Sequence, residues 1–372
     1  MAIVIQPYGQ EHEPAVEEFN RRLQRSSEDQ NLVFSKTSIP RWLPPSSNNP
    51  VWNEFFVAVE GSSVRGAYGL KQEMVFIRGK GMQRVACYHH PLSEGIIDRS
   101  YASVGALLAR DALRRQPLLY ALGMGGYERP LPKMLKALGF SLSPIPFYFR
   151  AVNPTKFLLE MQALRQARWR AILMNIAAAS GTGWLAIKSA QGVAMLRGRR
   201  GDFAAEEVAE FSEWADELWD QAKDNVSFAA VRDANTLRLL YPGHVTSIRR
   251  LRVSRDGAAI GWAIIGERRK DPKFGRMRVG SIVDCWASPE NAAAVVRAAT
   301  QALEKDGVDL IVSNQSHCVW CRAFERTGFL KGPSTFIFAA SNQLTELLQP
   351  LEENRPSFHI TRADGDGLPA NF

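Results

Sequence analysis

The sequence predicts an α/β (α+β) protein made of two copies of one mixed strand-and-helix unit. Three observations carry that prediction. Short β-patterned runs alternate with amphipathic helices along the chain. One order of elements occurs twice: hairpin, strand, helix, strand, helix ending in Gly-Phe, strand. The spacing repeats as well, with 37 positions from Ser103 to Phe140 and 38 from Asn291 to Phe329. A chain of 372 residues is also too long for one ordinary core, and 45% hydrophobic with 23% charged residues is the composition of a soluble globular protein.

The elements follow in order. "AIVIQPYG" reads as a strand, and "EHEPAVEEFNRRLQRSS" as a helix with Pro14 in its first turn and Val16, Phe19 and Leu23 on one face. Thr37 to Pro50 is rich in Pro and Ser and reads as a loop. Phe56–Val59 and Val64–Leu70 form a hairpin turning at "EGSS", and "MQRVACYHHP" is the next strand. A loop from Gly95 leads into an amphipathic helix with Val104, Leu107 and Leu108 on the sheet side. "LLYALGMGG" is a short apolar run, "PLPKMLKALGF" a helix ending at Gly139, and "PIPFYFRAV" the strand that closes the segment.

A helical connector with a basic run at Arg197–Arg200 then precedes the second copy. "FAAEEVAEFSEWADELWDQAKD" reads as helical, and "FAAVRDANTLRLLYPG" as a helix and turn. "VTSIRRLRVSRDGAAIGWAIIGERR" is a hairpin turning at Asp256-Gly257. "VGSIVDCWASP" is a strand, "ENAAAVVRAATQALEKDG" a helix burying Val295, Val296, Ala299 and Leu303, and "VDLIVSNQS" a strand. "CVWCRAFERTGF" is a helix ending at Gly328, and "STFIFAA" the last strand. The implied division is 1–150, a connector over 151–200, 201–345, and a loose tail over 346–372.

Composition narrows the function classes. The formal net charge of +8 favours an anionic partner, such as a phosphorylated cofactor, nucleic acid or a membrane surface, or else marks a mildly basic solvated surface. Four cysteines form no disulfide framework, and "HCVWC" lacks a second ligand pair at zinc spacing, so no metal site is expected. No secretory signal opens the sequence, which points to a cytoplasmic protein. "AILMNIAAASGTGWLAIK" is too short and too broken by "SGTG" to span a bilayer; flanked by Arg165, Arg168 and Arg170, it leaves open only a surface contact. "IRRLRVS" spreads its arginines over both strand faces, which argues against a nucleic-acid stripe.

The repeated order, with "KALGF" at Lys136–Phe140 and "ERTGF" at Glu325–Phe329, resembles the GNAT superfamily of acetyl-CoA-dependent N-acyltransferases, in tandem. The resemblance covers most of both halves. It implies two mixed, mainly antiparallel sheets flanked by helices, with two central strands splayed where the acyl-CoA enters. Tandem chains of this kind also resemble proteins of bacterial cell-surface polysaccharide production, and FemAB-like aminoacyltransferases share the repeat.

Backbone N–H groups at a helix start can hold the coenzyme's diphosphate. The family's Arg/Gln-x-x-Gly-x-Gly/Ala stretch falls on Arg99, Ser100, Tyr101, Ala102, Ser103, Val104 and Gly105. Arg99 matches the first position, whereas Ala102 and Val104 stand at the third-from-last and last motif positions, where the family has small residues; Ser103 could instead cap the helix. The second copy's "ASPENAAAVVRAA" lacks the motif; Ser288 or Pro289 reads as a plain helix start, with Glu290 at its N-terminal dipole, where a negative charge opposes a phosphate. The Tyr that serves many members as general acid is replaced by Leu135 and Phe324, neither of which can donate a proton. Candidate acid–base groups are His89, His90 and Tyr127 in copy one and Asp284 in copy two. The resemblance thus implies transfer of an acetyl or other acyl group from acyl-CoA to an amine acceptor. Two alternatives stay open: a non-catalytic scaffold with degenerate sites, and a FemAB-like enzyme using charged tRNA.

Overall fold

The computed structural model describes residues 2–26, 32–46, 48–162, 174–175, 178, 181–196, 202–267 and 272–365. The expected basic run at Arg197–Arg200 and Arg165, Arg168 and Arg170 lie outside these residues.

The first compact unit takes the described residues up to 144, with 335–351 and 364–365. Its strands are β1 (Val4–Pro7), β2 (Trp52–Glu60), β3 (Ser63–Ile77), β4 (Gly81–Ser93), β5 (Leu119–Gly123), β6 (Ser141–Pro144) and β15 (Ile337–Ala340), in the order β1-β2-β3-β4-β5-β15-β6. Every pairing along this path is antiparallel except β4 with β5. Helix α1 (Glu13–Ser26) buries Val16, Phe19 and Leu23 against Val57, Val64, Ala67 and Leu92 on one face of the sheet. Helices α2 (Val104–Arg115) and α3 (Pro130–Ala137) bury Val104, Leu108, Ala112 and Leu135 against Tyr68, Leu70, Ala86 and Tyr88 on the other.

The second unit spans 145–334 with 352–363. Strands β7 (Phe147–Ala151), β8 (Ala204–Glu207), β10 (Ile248–Arg255), β11 (Ala258–Glu267), β12 (Val279–Ala287), β13 (Leu310–Asn314) and β14 (Leu330–Gly332) run β8-β10-β11-β12-β13-β7-β14. Only β12 and β13 pair in parallel. Helices α8 (Ala292–Lys305) and α9 (Cys318–Arg326) cover one face through Val295, Val296, Ala299, Leu303, Trp320 and Phe324. Phe157 and Leu158 of α4 (Pro154–Glu160) cover the other, packed on Val279, Leu310 and Val312.

The two sheet paths match position by position, which is the repeat in three dimensions. The sixth place in each is taken by a strand from the other half of the sequence. β15 sits between β5 and β6, and β7 sits between β13 and β14. The compact units therefore cross the linear division expected at 150 and 345. "PIPFYFRAV" completes the second sheet and "STFIFAA" the first.

Both Gly-Phe helix ends form. Gly139 (φ 89°) and Gly328 (φ 86°) take the left-handed conformation after their helices. The amides of Phe140 and Phe329 then donate to Leu135 and Phe324. Three expectations need correction. Ala204–Glu207 is an exposed edge strand paired with Leu251–Ser254, and the helix (α6, Glu213–Ala222) begins later. Phe228–Ala230 is strand β9, followed by helix α7 (Ala234–Leu240). The tail is packed rather than loose as far as Gly365. Phe358–His359 (β16) pairs with β9, Thr361 bridges Gln315, and Phe358, His359, Ile360 and Thr361 are all buried.

Candidate active site

The central strands of each unit part company. β4 and β5 pair only at Ala86–Leu119 and Cys87–Tyr120, although β4 continues to Ser93 and β5 to Gly123. β12 and β13 pair over Val279–Ser281 and Leu310–Val312 and then separate. In both sheets the second strand of the hairpin carries a glycine under the following helix. A Cβ at Gly66 would lie 2.8 Å from Val104 Cγ1, and one at Gly261 2.5 Å from Val295 Cγ2. These close approaches fix the helix starts beside the parting strands.

In unit one the chain between β4 and α2 is anchored from below. Arg22 and Arg65 clamp the buried Glu94 at 2.7 and 2.9 Å, Arg65 also pairs with Glu60, and its guanidinium lies 4.4 Å from the Tyr101 ring centroid. Tyr101 donates to Glu60 at 3.0 Å. This bond, with the Arg65 guanidinium, holds the Glu60 carboxyl below its usual pKa. Asp98 accepts from the Ser100 amide and hydroxyl, which lowers its pKa in the same way.

Of the sequence-predicted stretch Arg99–Gly105, the amides of Ser100, Tyr101 and Ala102 are paired within the protein, to Asp98 Oδ1, Asp98 O and Arg99 O. The next four, on Ser103, Val104, Gly105 and Ala106, are those an α-helix leaves unpaired, and among the described residues they donate to no protein acceptor. The Ser103 side chain makes no capping bond. Arg99, Ala102 and Ser103 are exposed. The anion-binding potential of the loop is therefore shifted one residue beyond the motif, to include Ala106.

Sequence reasoning found the two histidines without distinguishing them. A bulge in β4 separates them, since Gly69 faces His89 while Ala67 faces Leu92. His89 is buried, and its Nε2 lies 3.1 Å from Asn53 Oδ1. Its ring occupies the space that a Cβ at Gly69 would fill. His90 is exposed at φ 46°, an unusual conformation for a residue with a side chain, and its Nδ1 is 3.4 Å from His89 Nδ1. The buried ring thus braces the exposed one where the strands part. Tyr127 lies half-exposed in the loop after β5. Leu135 and Phe324 are wholly buried core residues.

A buried polar cluster that the sequence did not reveal lies on the α1 face of the same sheet. Lys71 Nζ donates to the carbonyls of Asp364 (2.9 Å) and Gly365 (3.0 Å) and pairs with Glu73 at 3.2 Å. Tyr120 donates to the Asp364 carbonyl and to Glu73. Burial is the largest single influence and opposes the lysine's charge, but Glu73, Cys87 and Asp364 together raise the Lys71 pKa.

Unit two is arranged differently. Asp284, expected as an open cleft base, is fully engaged. Its carboxylate takes the Arg232 guanidinium (3.2 Å), the Tyr241 hydroxyl (2.9 Å), the Thr361 hydroxyl (3.2 Å) and the Cys285 amide (3.0 Å). It is 1% exposed, so it joins strands instead of meeting a substrate. The space between β12 and β13 is filled by the chain's own segment 359–361. Ser316 donates to Ile360 O and Ile360 to Ser316 Oγ, while the His359 ring packs 4.9 Å from Trp286 and 5.8 Å from Trp320. A cavity of about 10 Å³ is left at the end of β12, lined by Trp286, Pro289, His317 and Trp320, room for one water. At the start of α8, Asn291 and Ala294 already donate to Ser288 O and Asn291 O. Burial pushes the neighbouring Cys285 thiol well above its usual pKa. Among the described residues no group of side chains could hold a metal ion.

Comparison with solved structures matches this architecture. Saccharomyces cerevisiae N-myristoyltransferase with bound myristoyl-CoA is similar over 92% of this chain and 79% of its own, with a TM-score of 0.54 at 11% identity. A GCN5-related N-acetyltransferase from Anabaena variabilis matches over 91% and 72%, with a TM-score of 0.52 at 10% identity. A probable N-acyltransferase from Enterococcus faecalis matches over the same shares, with a TM-score of 0.51 at 10% identity. No protein-family model matches the sequence, and neither does any curated protein. At these identities the likeness concerns the fold, and the fold is that of the GNAT N-acetyltransferases, present here in two copies.

Proposed function

We propose that this chain, with its two GNAT-type units, is an acyl-CoA-dependent N-acyltransferase in which unit one binds the coenzyme and carries the chemistry. The observation that supports this most is the set of unpaired amides at Ser103–Ala106 beside the parting β4 and β5. These amides take the diphosphate, with Arg99 reaching it from the exposed turn. The pantetheine then lies along the strands, which directs the thioester toward the β4 bulge. There His90, braced by His89 and Asn53, accepts the proton of the attacking amine. Tyr127 is the candidate donor to the departing thiolate. Acetyl-CoA or another acyl-CoA is the donor substrate, and the acceptor is an amine, for which the sequence resemblance suggests cell-surface polysaccharide metabolism in the cytoplasm. Unit two, its strand gap filled and its helix start partly paired, supplies no second coenzyme site.

The test is thiol release from acetyl-CoA across a panel of amines. His90→Gln is expected to lower kcat by about 10²-fold or more, with coenzyme A affinity unchanged. Coenzyme A binding without turnover on any amine would favour the scaffold reading. Turnover only with charged tRNA would favour the FemAB-like one.

A further inference from the structure

The "HCVWC" motif takes no part in the proposed acyl transfer, and among the described residues it gains no partners for a metal. Both of its cysteines lie on the first turn of α9. His317 is the N-cap: its Nδ1 accepts from the Val319 amide at 3.2 Å, and its Nε2 lies 3.4 Å from Asn225 O. Its carbonyl accepts from the Cys321 amide at 2.9 Å, which closes the turn. Cys318 and Cys321 are free thiols and partly exposed, whereas Cys87 and Cys285 are buried. Trp320 and Phe324 anchor α9 in the core, and α5 (Thr182–Leu196) packs beside it.

The spacing suits a disulfide. Residues three apart on an α-helix, with a rise of ~1.5 Å per residue on a radius of ~2.3 Å, have Cα atoms about 5 Å apart. A disulfide spans about 4.4–6.8 Å between Cα atoms. The Cβ atoms of such a pair stand about 5–6 Å apart and must close to about 4 Å, so the turn has to tighten. A bond formed under that strain is easily reduced again, which suits a reversible couple and not a structural staple. The two thiols are unequal. Cys321 donates to Gln315 O at 3.3 Å, and burial pushes its thiol up to about 11, with Tyr148, Glu325 and Lys331 around it. The Cys318 thiol makes no hydrogen bond among the described residues, and the amides of Cys318 and Trp320 at the helix start have no protein acceptor there. Cys318 is thus the group that meets a reagent first, and Cys321 the one that follows.

We propose that Cys318 and Cys321 form a redox-active dithiol that reacts with low-molecular-weight disulfides of the glutathione type. Cys318, having given its proton to solvent, attacks one sulfur of the reagent. The reagent's S–S bond breaks, one thiolate leaves and takes up a proton, and a mixed disulfide remains on Cys318. Cys321 then loses its proton to solvent and attacks the Cys318 sulfur. This expels the second thiolate, which is protonated in turn, and closes the Cys318–Cys321 bond. The two cysteines lose two electrons, and the reagent gains them as it becomes two thiols. The site lies in unit two, and the proposal is independent of the acyltransferase reading.

The full chain is equilibrated with glutathione disulfide, quenched in acid, alkylated in urea and read by peptide mass spectrometry. The segment holding Cys318 and Cys321 should be protected from alkylation, carry no glutathione and become fully alkylatable after dithiothreitol. Cys87 and Cys285 should stay reduced throughout. Cys321→Ser should trap glutathione on Cys318. In Cys318→Ser, Cys321 should be modified at least about tenfold more slowly than Cys318 is in Cys321→Ser, because so little of a thiol raised to about 11 is ionised near neutral pH. The proposal is overturned if both cysteines stay reduced, if each ends with its own glutathione, or if disulfides form only between chains. It is likewise overturned if the two single variants react at the same rate.

Discussion

Replacing Ser103 with Glu separates coenzyme binding from stability, because the two should move in opposite directions. The residue is exposed, sits at the N-cap of α2 and makes no side-chain capping bond, so a longer side chain meets no steric obstacle. A carboxylate roughly 5 Å from a diphosphate of charge near −2 costs about 1.7 kcal/mol even at the dielectric constant of water. The same carboxylate can accept from one of the amides that the diphosphate would use, which removes about 1 kcal/mol more. The sum, about 2–3 kcal/mol, corresponds to affinity weaker by roughly 30- to 150-fold. A negative charge at a helix N-terminus meanwhile stabilises the fold by about 0.3–1 kcal/mol. Calorimetric titration with coenzyme A, which carries the diphosphate common to all acyl-CoAs, measures the first effect, and thermal unfolding measures the second. Asn291→Glu, at the equivalent helix start of unit two, should leave affinity unchanged. Equal losses at both positions, or a loss below about threefold at Ser103, would refute the assignment.

Three further outcomes follow from the packing. Lys71→Met strands Glu73 and two backbone carbonyls in the interior, and urea unfolding should show a loss of about 3–5 kcal/mol. Gly139→Ala forces a Cβ at φ 89° to within 2.7 Å of Asn342 Nδ2, and the same measurement should show a loss of at least about 1–2 kcal/mol. Burial, with Arg232 nearby, lowers the His359 pKa well below 6.5, so the folded protein keeps this ring neutral while the unfolded chain takes up a proton as pH falls. Stability should therefore drop below about pH 6.5 by up to ~1.4 kcal/mol per pH unit, and His359→Phe should remove that part of the slope in unfolding measured against pH.

What the sequence shows and hides can be traced to particular residues. The Gly-Phe helix ends, the Asp256-Gly257 turn with φ of 50° and 83°, and the buried helix faces are local signals, and they form as expected except at Leu107, which the sequence pattern sets on the sheet side with Val104 and Leu108 and which is exposed instead. The exchange of β7 and β15 between sheets is not local. Periodicity identifies "FYFRA" and "IFAA" as strands, but which edge completes them depends on pairings 159–167 and 214–220 positions apart. Ala204–Glu207 consists of helix formers, and its strand conformation comes only from the ladder with β10. In the site, the helix start at Ser103 is legible, yet the bulge that separates His89 from His90 is a backbone property with no composition signal. The closure of Asp284 needs Arg232, Tyr241 and Thr361, which no spacing rule connects.

The most direct test of unit one as the coenzyme site is a crystal structure of the full chain grown with coenzyme A. The account predicts one coenzyme per chain, its diphosphate on the amides of Ser103, Val104, Gly105 and Ala106 and its pantetheine between β4 and β5. Coenzyme seated at the start of α8 in unit two, or amides 103–106 left facing only solvent in a coenzyme-bound crystal, would contradict it.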